Sequence, residues 1–185
     1  MTTFNGKKVD FGSYYPAISP SDLNAVGSGK GGNHVLDIHA TGKDEGVIIP
    51  RVVVSGSSIS ITYSLADAGI EFYTSGFDGF EFSFKGINNI DGVSVSTNIL
   101  GMSASKVGFN SHQIAINYAG TELPFDAQAY LTVHVDFGRT HGAALSMSHA
   151  IASFADSGAA PLLSAGEIHS ATETGMTLAP SHHHH

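Results

Sequence analysis

Apolar and polar side chains alternate with a period of two residues along much of this chain. Segment 58–65 places Ile59, Ile61, Tyr63 and Leu65 on one side and serine or threonine on the other. The same pattern recurs in segments 80–85, 113–118 and 130–137. Because successive side chains of a β-strand point to opposite faces, this alternation predicts antiparallel strands with one buried and one solvated face.

Further strands are predicted between turns rich in Gly, Asn and Asp. The apolar, β-branched segment 47–54 contains Pro50, which confines its middle to a sheet edge or a bend. Weaker strand patterns cover 34–40 and 93–97. The turns lie at 27–33, 75–79 and 88–92. Short strands at this spacing predict an all-β fold, an antiparallel two-sheet β-sandwich.

The chain has the length of one domain, 185 residues. We expect an N-terminal extension over 1–25 and the sandwich over 26–157, ending in a short helix or in late strands. Segment 158–181 is rich in small residues and is predicted to be a tail. The histidines at 182–185 are typical of an affinity-tag remnant and carry no functional argument.

The charge balance restricts the class of partner. Asp and Glu number 16 against 8 Lys and Arg, giving a formal net charge of −8. Nucleic acid and anionic membrane surfaces both require a basic face, so this balance argues against both. Cysteine is absent, which excludes disulfides and thiolate chemistry. No stretch approaches the ~20 apolar residues of a membrane span, so we expect no membrane insertion.

One predicted strand edge is relevant to the formation of oligomers. An unpaired apolar strand near Val52 and Val54 would offer free backbone N–H and C=O groups to a second chain. Homo-oligomer formation by strand addition is therefore a hypothesis.

A series of short motifs between residues 26 and 137 resembles a known domain. Residues 76–82 read Gly-Phe-Asp-Gly-Phe-Glu-Phe, and residues 97–109 run from a Thr-Asn pair to Val-Gly-Phe. A Gly-Thr-Glu-Leu-Pro-Phe turn at 120–125 then precedes the last alternating strand. In this order the motifs resemble the β-sandwich domain of bacterial exported proteins of the PEP-CTERM-associated type.

The resemblance implies a fold and a location. It implies a β-sandwich module in a secreted, extracellular bacterial protein, and it brings no catalytic residues with it. The Gly-rich, acidic and cysteine-free composition is also similar to that of type I secretion substrates. The chain departs from the PEP-CTERM pattern after Gly138.

Two mirror-image patterns offer metal ligands. Asp37-x-His39 and His134-x-Asp136 each place a carboxylate and an imidazole on one face of a strand, since residues i and i+2 project together. If the two strands pair, four ligands would converge on a divalent metal ion. The alternatives are that each aspartate orients its own histidine for acid–base chemistry, or that these are unrelated residues on two solvated faces.

Calcium and haem are the other cofactors that the residues suggest. Oxygen-rich turns at 43–45, 77–79 and 88–92 offer ligands for Ca²⁺, although none matches an EF-hand loop. A haem site needs an axial His or Tyr in an apolar pocket. The residues weighed for that role are Tyr14, Tyr15, Tyr63, Tyr73 and His149. The strand position of Tyr63 predicts a core residue instead.

Exposed aromatic rings would suit a glycan ligand. The rings considered are Tyr14, Tyr15, Phe77, Phe80 and Tyr130, of which Phe80 lies on an apolar stripe and is predicted to be core. Hydrolysis has less support, because the chain contains neither G-x-S-x-G nor H-E-x-x-H. No pattern couples any two of the glutamates at 71, 81, 122 and 167.

Together these observations predict an exported β-sandwich protein that acts as a binding or surface-structural module rather than as an enzyme. Its ligand would be a glycan, a protein or a small molecule. Two alternatives remain open at this point. One is a secreted haem- or metal-capturing protein, and the other is a small extracellular hydrolase that uses His134 and Asp136.

Overall fold

The computed structural model describes residues 2–43, 47–74 and 76–138. Within them the predicted all-β sandwich is confirmed, because ten strands form two antiparallel sheets packed together. The strands are β1 (Lys8–Tyr14), β2 (Leu23–Lys30), β3 (Asp37–Ala40), β4 (Arg51–Ser55), β5 (Ser58–Thr62), β6 (Gly79–Lys85), β7 (Ile90–Thr97), β8 (Val107–Phe109), β9 (Gln113–Asn117) and β10 (Tyr130–Phe137). Single 3₁₀ turns occur at Pro20–Asp22, Leu65–Asp67 and Ala104–Lys106.

The two sheets enclose one core. The larger sheet has the order β3-β2-β1-β6-β9-β8 and the smaller has the order β4-β5-β10-β7. Phe11 of β1 lies against Phe80 and Phe82 of β6, with ring centroids 5.1 and 5.3 Å apart. The smaller sheet contributes the fully buried side chains of Val52, Val54, Ile59, Ile61, Leu131 and Val133. The period-two pattern therefore identifies the inner faces correctly, except at Leu65, which lies in a 3₁₀ turn after β5 and is 64% exposed.

Strand β4 lies at a sheet edge, as Pro50 predicts. It begins at Arg51, directly after Pro50, and lies at the edge of the smaller sheet. Its outer edge is covered, since the backbone N–H groups of Gly32 and Leu36 donate to the carbonyls of Val54 and Val52, at 2.7 and 2.9 Å. The open edge expected near Val52 and Val54 is therefore wrong, and strand addition at this place loses its basis.

The N-terminal boundary of the sandwich also needs correction. Residues 1–25 were expected to form an extension, but β1 lies inside the larger sheet between β2 and β6. The alternation of apolar and polar residues in β1 is too short to predict a strand, because only Val9 and Phe11 are buried large apolar residues in it. The domain therefore includes β1, which begins at Lys8, well before residue 26.

Two glycines explain why β2 resembles a loop in sequence. The predicted turn at 27–33 overlaps β2, which continues to Lys30. A Cβ on Gly27 would lie 2.6 Å from Cγ1 of Ile38, and one on Gly29 would lie 2.7 Å from Cδ2 of Leu36. These positions have glycine because neighbouring side chains occupy the space above the strand, and the glycines conceal the alternation.

The predicted C-terminal helix or late strands, the tail at 158–181 and His149 lie outside the described residues. Within the described ranges, no helix is long and apolar enough to cross a membrane.

Candidate functional site

The four predicted metal ligands occupy two different sheets. Asp37 and His39 lie on β3 at one edge of the larger sheet, whereas His134 and Asp136 lie on β10 inside the smaller one. Since β3 pairs with β2, and β10 pairs with β5 and β7, the pairing that would have united the four ligands does not occur. Each pair is exposed on the outer face of its own sheet.

Among the residues that the structure describes, neither pair has a further ligand nearby. The Nδ1 atom of His39 lies 3.5 Å from Oδ1 of Asp37, in an exposed contact. The residues directly opposite His134 are Ser58 and Ser94. Within the described ranges, no group of three or more His, Asp or Glu side chains is close enough to hold a metal ion.

One residue considered for calcium and one considered for haem have structural roles. The Asn89 amide donates to the Gly138 carbonyl at 2.7 Å and to Oγ1 of Thr2 at 3.1 Å, so it ties the β6–β7 turn to both ends of the described chain. Tyr63 is 1% exposed and packs against Tyr118 and Phe72, as a core residue should.

A separate cleft, which we call the tyrosine cleft, has a volume of about 410 Å³. The ends of β1, β2 and β6 form one side, and segments 47–48 and 70–73 form the other. Its polar lining residues are Ser13, Tyr15, Asn24, Glu71, Tyr73 and Asp78. Its apolar lining residues are Val47, Ile48, Ile70, Phe72 and Phe80. Ligand sites commonly combine a mainly apolar wall with a few placed polar groups.

Two stacked tyrosine rings lie in the lining of the cleft. The rings of Tyr15 and Tyr73 are 4.7 Å apart between centroids and inclined by 30°. Tyr73 is nevertheless 66% exposed, so stacking leaves much of its ring accessible. Tyr15 is held from its backbone, whose N–H donates to the Asp22 carbonyl at 3.0 Å. The pair therefore offers a flat aromatic surface to a ligand.

Asp78 supplies a carboxylate that is held from several directions. Its Oδ2 accepts a hydrogen bond from the Tyr73 backbone N–H at 3.2 Å, and its own N–H donates to Oδ1 of Asn117 at 3.2 Å. Its carbonyl accepts from the Tyr118 N–H at 2.7 Å. Burial raises the pKa of the Asp78 carboxyl, and the hydrogen bond from Tyr73 opposes that shift. The carboxylate is thus fixed and partly desolvated.

The loop that carries Asp78 depends on close backbone approaches. Gly76 has a φ of +75°, and a Cβ there would lie 2.5 Å from the Pro16 carbonyl oxygen. At Gly79 a Cβ would overlap the Ile116 carbonyl oxygen, because β6 and β9 approach closely at this point. Glycine is required at both positions, and the Gly-Phe-Asp-Gly motif thereby places Asp78 against the cleft.

Asn24 contributes a side-chain amide to the lining of the cleft. It is 8% exposed, and its backbone carbonyl accepts hydrogen bonds from the N–H and Oγ1 of Thr41, at 2.8 and 3.1 Å. Its side-chain amide makes no hydrogen bond to any described residue. The amide lies in the cleft lining, where it can donate to and accept from a ligand.

A second polar cluster, on the outer face of the larger sheet, differs in this respect. Oε1 of Glu81 accepts from Nε2 of Gln113 at 2.9 Å, and the same nitrogen donates to the Ser83 hydroxyl at 3.2 Å. Burial raises the pKa of Glu81, and His112 nearby opposes the shift. These groups satisfy one another, so this cluster has less to offer a ligand.

The sequence pointed to only part of the tyrosine cleft. Tyr15 was among the rings considered for a glycan, Tyr73 among haem ligands and Asp78 among calcium ligands. Phe77 and Phe80 are both 4% exposed, so neither serves as an exposed platform. Asn24 gave no signal, because nothing local distinguishes a ligand-facing asparagine from one in a turn.

Comparison with known proteins does not extend this description. No family model matches the chain, and neither curated proteins nor solved structures give a match.

Proposed function

We propose that this protein is an exported, non-enzymatic binding module that holds a carbohydrate in the tyrosine cleft. One cleft that is lined by the stacked Tyr15 and Tyr73 rings together with the Asn24 amide and the Asp78 carboxylate is the observation that carries the proposal. Export is supported by the resemblance to secreted bacterial sandwich domains and by the cysteine-free composition.

The chemistry of a sugar matches both kinds of surface in the cleft. The C–H face of a pyranose ring packs on an aromatic ring, which the accessible face of Tyr73 provides. Sugar hydroxyls both donate and accept, as does the Asn24 amide, and they donate to carboxylates such as Asp78. The volume of about 410 Å³ suits a ligand of one or two sugar rings.

The test is a binding screen of the full chain, freed of the terminal histidines, against immobilised neutral, amino and acidic oligosaccharides. Hits are then measured by titration calorimetry. Tyr73→Ala should weaken binding about tenfold or more, because a lost aromatic contact costs on the order of 1 kcal/mol or more. Tyr130→Ala is the matched control, since Tyr130 is an exposed tyrosine on β10, outside the cleft lining.

Two results would overturn the proposal. One is the absence of binding to every oligosaccharide class. The other is binding that Tyr73→Ala leaves unchanged or that Tyr130→Ala weakens equally, because either outcome would place the ligand outside the cleft.

A further inference from the structure

The charges of the tyrosine cleft are all of one sign. Among the described lining residues, Glu71 and Asp78 are acidic and none is Lys, Arg or His. Whatever ligand the cleft takes must therefore enter a negative environment, in a chain whose formal net charge is −8.

Neither carboxylate has a cationic partner within the described ranges. Asp78 accepts one side-chain hydrogen bond, from the neutral Tyr73 backbone N–H. Glu71 is exposed, and its side chain makes no hydrogen bond or ion pair with a described residue. By contrast, Lys8 lies 2.8 Å from the Asp10 carboxylate on the protein surface. The cleft carboxylates thus retain their capacity to bind a cation.

The aromatic pair favours the same kind of group. The face of a tyrosine ring carries negative electrostatic potential and attracts an ammonium group within about 6 Å of its centroid. Tyr73 contributes both such a ring and the backbone N–H that donates to Asp78, so the ring and the carboxylate belong to the same part of the cleft. The buried Asn24 amide adds hydrogen bonds for a hydroxyl next to the amine.

From this arrangement we infer that the sugar recognised by the tyrosine cleft carries a free amine, bound between the Asp78 and Glu71 carboxylates and the Tyr73 ring. This inference rests on the proposed carbohydrate function and specifies its ligand class as amino sugars. Acetylation of the amine removes its charge and should weaken binding, and a carboxylate on the sugar should abolish binding by repulsion.

The experiment compares matched oligosaccharides of glucosamine, N-acetylglucosamine, glucose and glucuronic acid, with one linkage and one length, by calorimetry at mildly acidic pH. The glucosamine oligomer should bind about tenfold to a hundredfold more tightly than its acetylated form, as for a hydrogen bond to a charged group. Asp78→Asn should remove most of this preference, measured as the ratio of the affinities of the glucosamine and N-acetylglucosamine oligomers for the same variant. Asp136→Asn, on the outer face of β10, is the control and should preserve the preference.

The outcomes separate the inference from the proposed function. Equal affinity for the amine and acetylated or neutral oligomers, or tightest binding of the glucuronic acid oligomer, overturns the inference and leaves a carbohydrate-binding protein. Preference for the amine that survives in Asp78→Asn also overturns it. Failure of all four oligomers, in a chain whose fold is verified by circular dichroism, overturns the inference together with these sugars as ligands.

Discussion

The outer strand faces and the tyrosine cleft both carry acidic and polar side chains, but they differ in what surrounds those groups. Asp37 and His39 are exposed and meet only each other, at 3.5 Å. In the cleft, Asn24 is 8% exposed, and Asp78 is anchored through hydrogen bonds on three of its atoms. Water hydrates the first kind of group freely, whereas the second kind is partly desolvated and held in place before a ligand arrives. Chemistry-bearing residue types therefore indicate a site less well than desolvation does.

The largest expected effect comes from breaking the support of the cleft. Asn117→Ala removes the Oδ1 atom that accepts from the backbone N–H groups of Asp78 and Ala119, at 3.2 and 3.0 Å. Because two donors lose their acceptor, we expect the free energy of unfolding to fall by about 1–3 kcal/mol. Ligand affinity should fall as well, since Asp78 loses its anchor. Urea unfolding and calorimetry of the variant measure the two effects.

Asn117→Asp is the conservative control for that change. In acid, where the new carboxyl is protonated and neutral, it keeps an oxygen acceptor in the same place and should recover much of the lost stability. At neutral pH the buried charge should oppose that gain. If Asn117→Ala were as stable as the wild type, this hydrogen bond would have no part in holding the loop.

Asn24→Leu should separate binding from stability. The substitution removes the unpartnered amide, so ligand affinity should fall about tenfold to a hundredfold. The free energy of unfolding should stay within about 1 kcal/mol of the wild type, because the Asn24 side chain makes no hydrogen bond to a described residue that the substitution would remove. Thermal unfolding and calorimetry together check the prediction.

Asn98→Leu should have the opposite effects on stability and on binding. The Asn98 amide donates to the Gln128 carbonyl at 3.0 Å and accepts from the Tyr130 N–H at 2.8 Å. That variant should lose about 1–3 kcal/mol of stability and keep its ligand affinity. The comparison fails if both asparagine variants lose stability alike.

A smaller effect is expected from pH. Burial raises the pKa of Asp78, so the folded state binds that proton more tightly than the unfolded state does. The contribution of Asp78 to stability is then highest when it is protonated and declines as pH rises through the window between its unfolded and raised folded values. Asp78→Asn should match the wild type in acid, where both side chains are neutral, and be at least as stable at neutral pH.

Urea unfolding of both proteins across pH measures this difference. Asp136→Asn removes an exposed carboxylate, so this variant measures how much a surface charge contributes to the free energy of unfolding. An Asp78→Asn protein that is less stable than the wild type at neutral pH would contradict the desolvation argument.

The smallest effects are expected on the strand faces. Asp37→Ala and His134→Ala remove exposed side chains, so unfolding free energies should stay within about 0.5 kcal/mol of the wild type. Ligand affinity should not change. Loss of binding in either variant would transfer the function from the cleft to a strand face.

Local pattern predicted the sandwich because its main signal is local. Alternation in segments 58–65 and 130–137 is visible in a few residues, and it identifies the inner face without knowledge of which strands pair. Strands β1 and β2 escaped detection where glycines such as Gly27 interrupt the pattern to accommodate Ile38. The sequence shows where the alternation is interrupted, but not which neighbouring side chain occupies the space above the glycine.

The cleft could not be predicted in the same way, because its residues come from segments far apart in the chain. Ser13 and Phe80 lie opposite each other only because β1 pairs with β6, in a register that neither strand specifies alone. The Asp-x-His pattern was misleading for the same reason, since convergence of its four residues required strand pairing that does not occur. The sequence shows which residue types are present, but not which of them come together in the fold.

The central claim is that ligand binds in the tyrosine cleft and not on a strand face. A heteronuclear NMR titration of isotope-labelled protein with the glucosamine oligomer tests it most directly. We predict shifts of the Asn24 side-chain amide and of the Tyr73 and Asp78 backbone amides, with residues 37–39 and 134–136 unaffected. Shifts confined to those strand residues, or saturable binding without change at Asn24, would contradict the account.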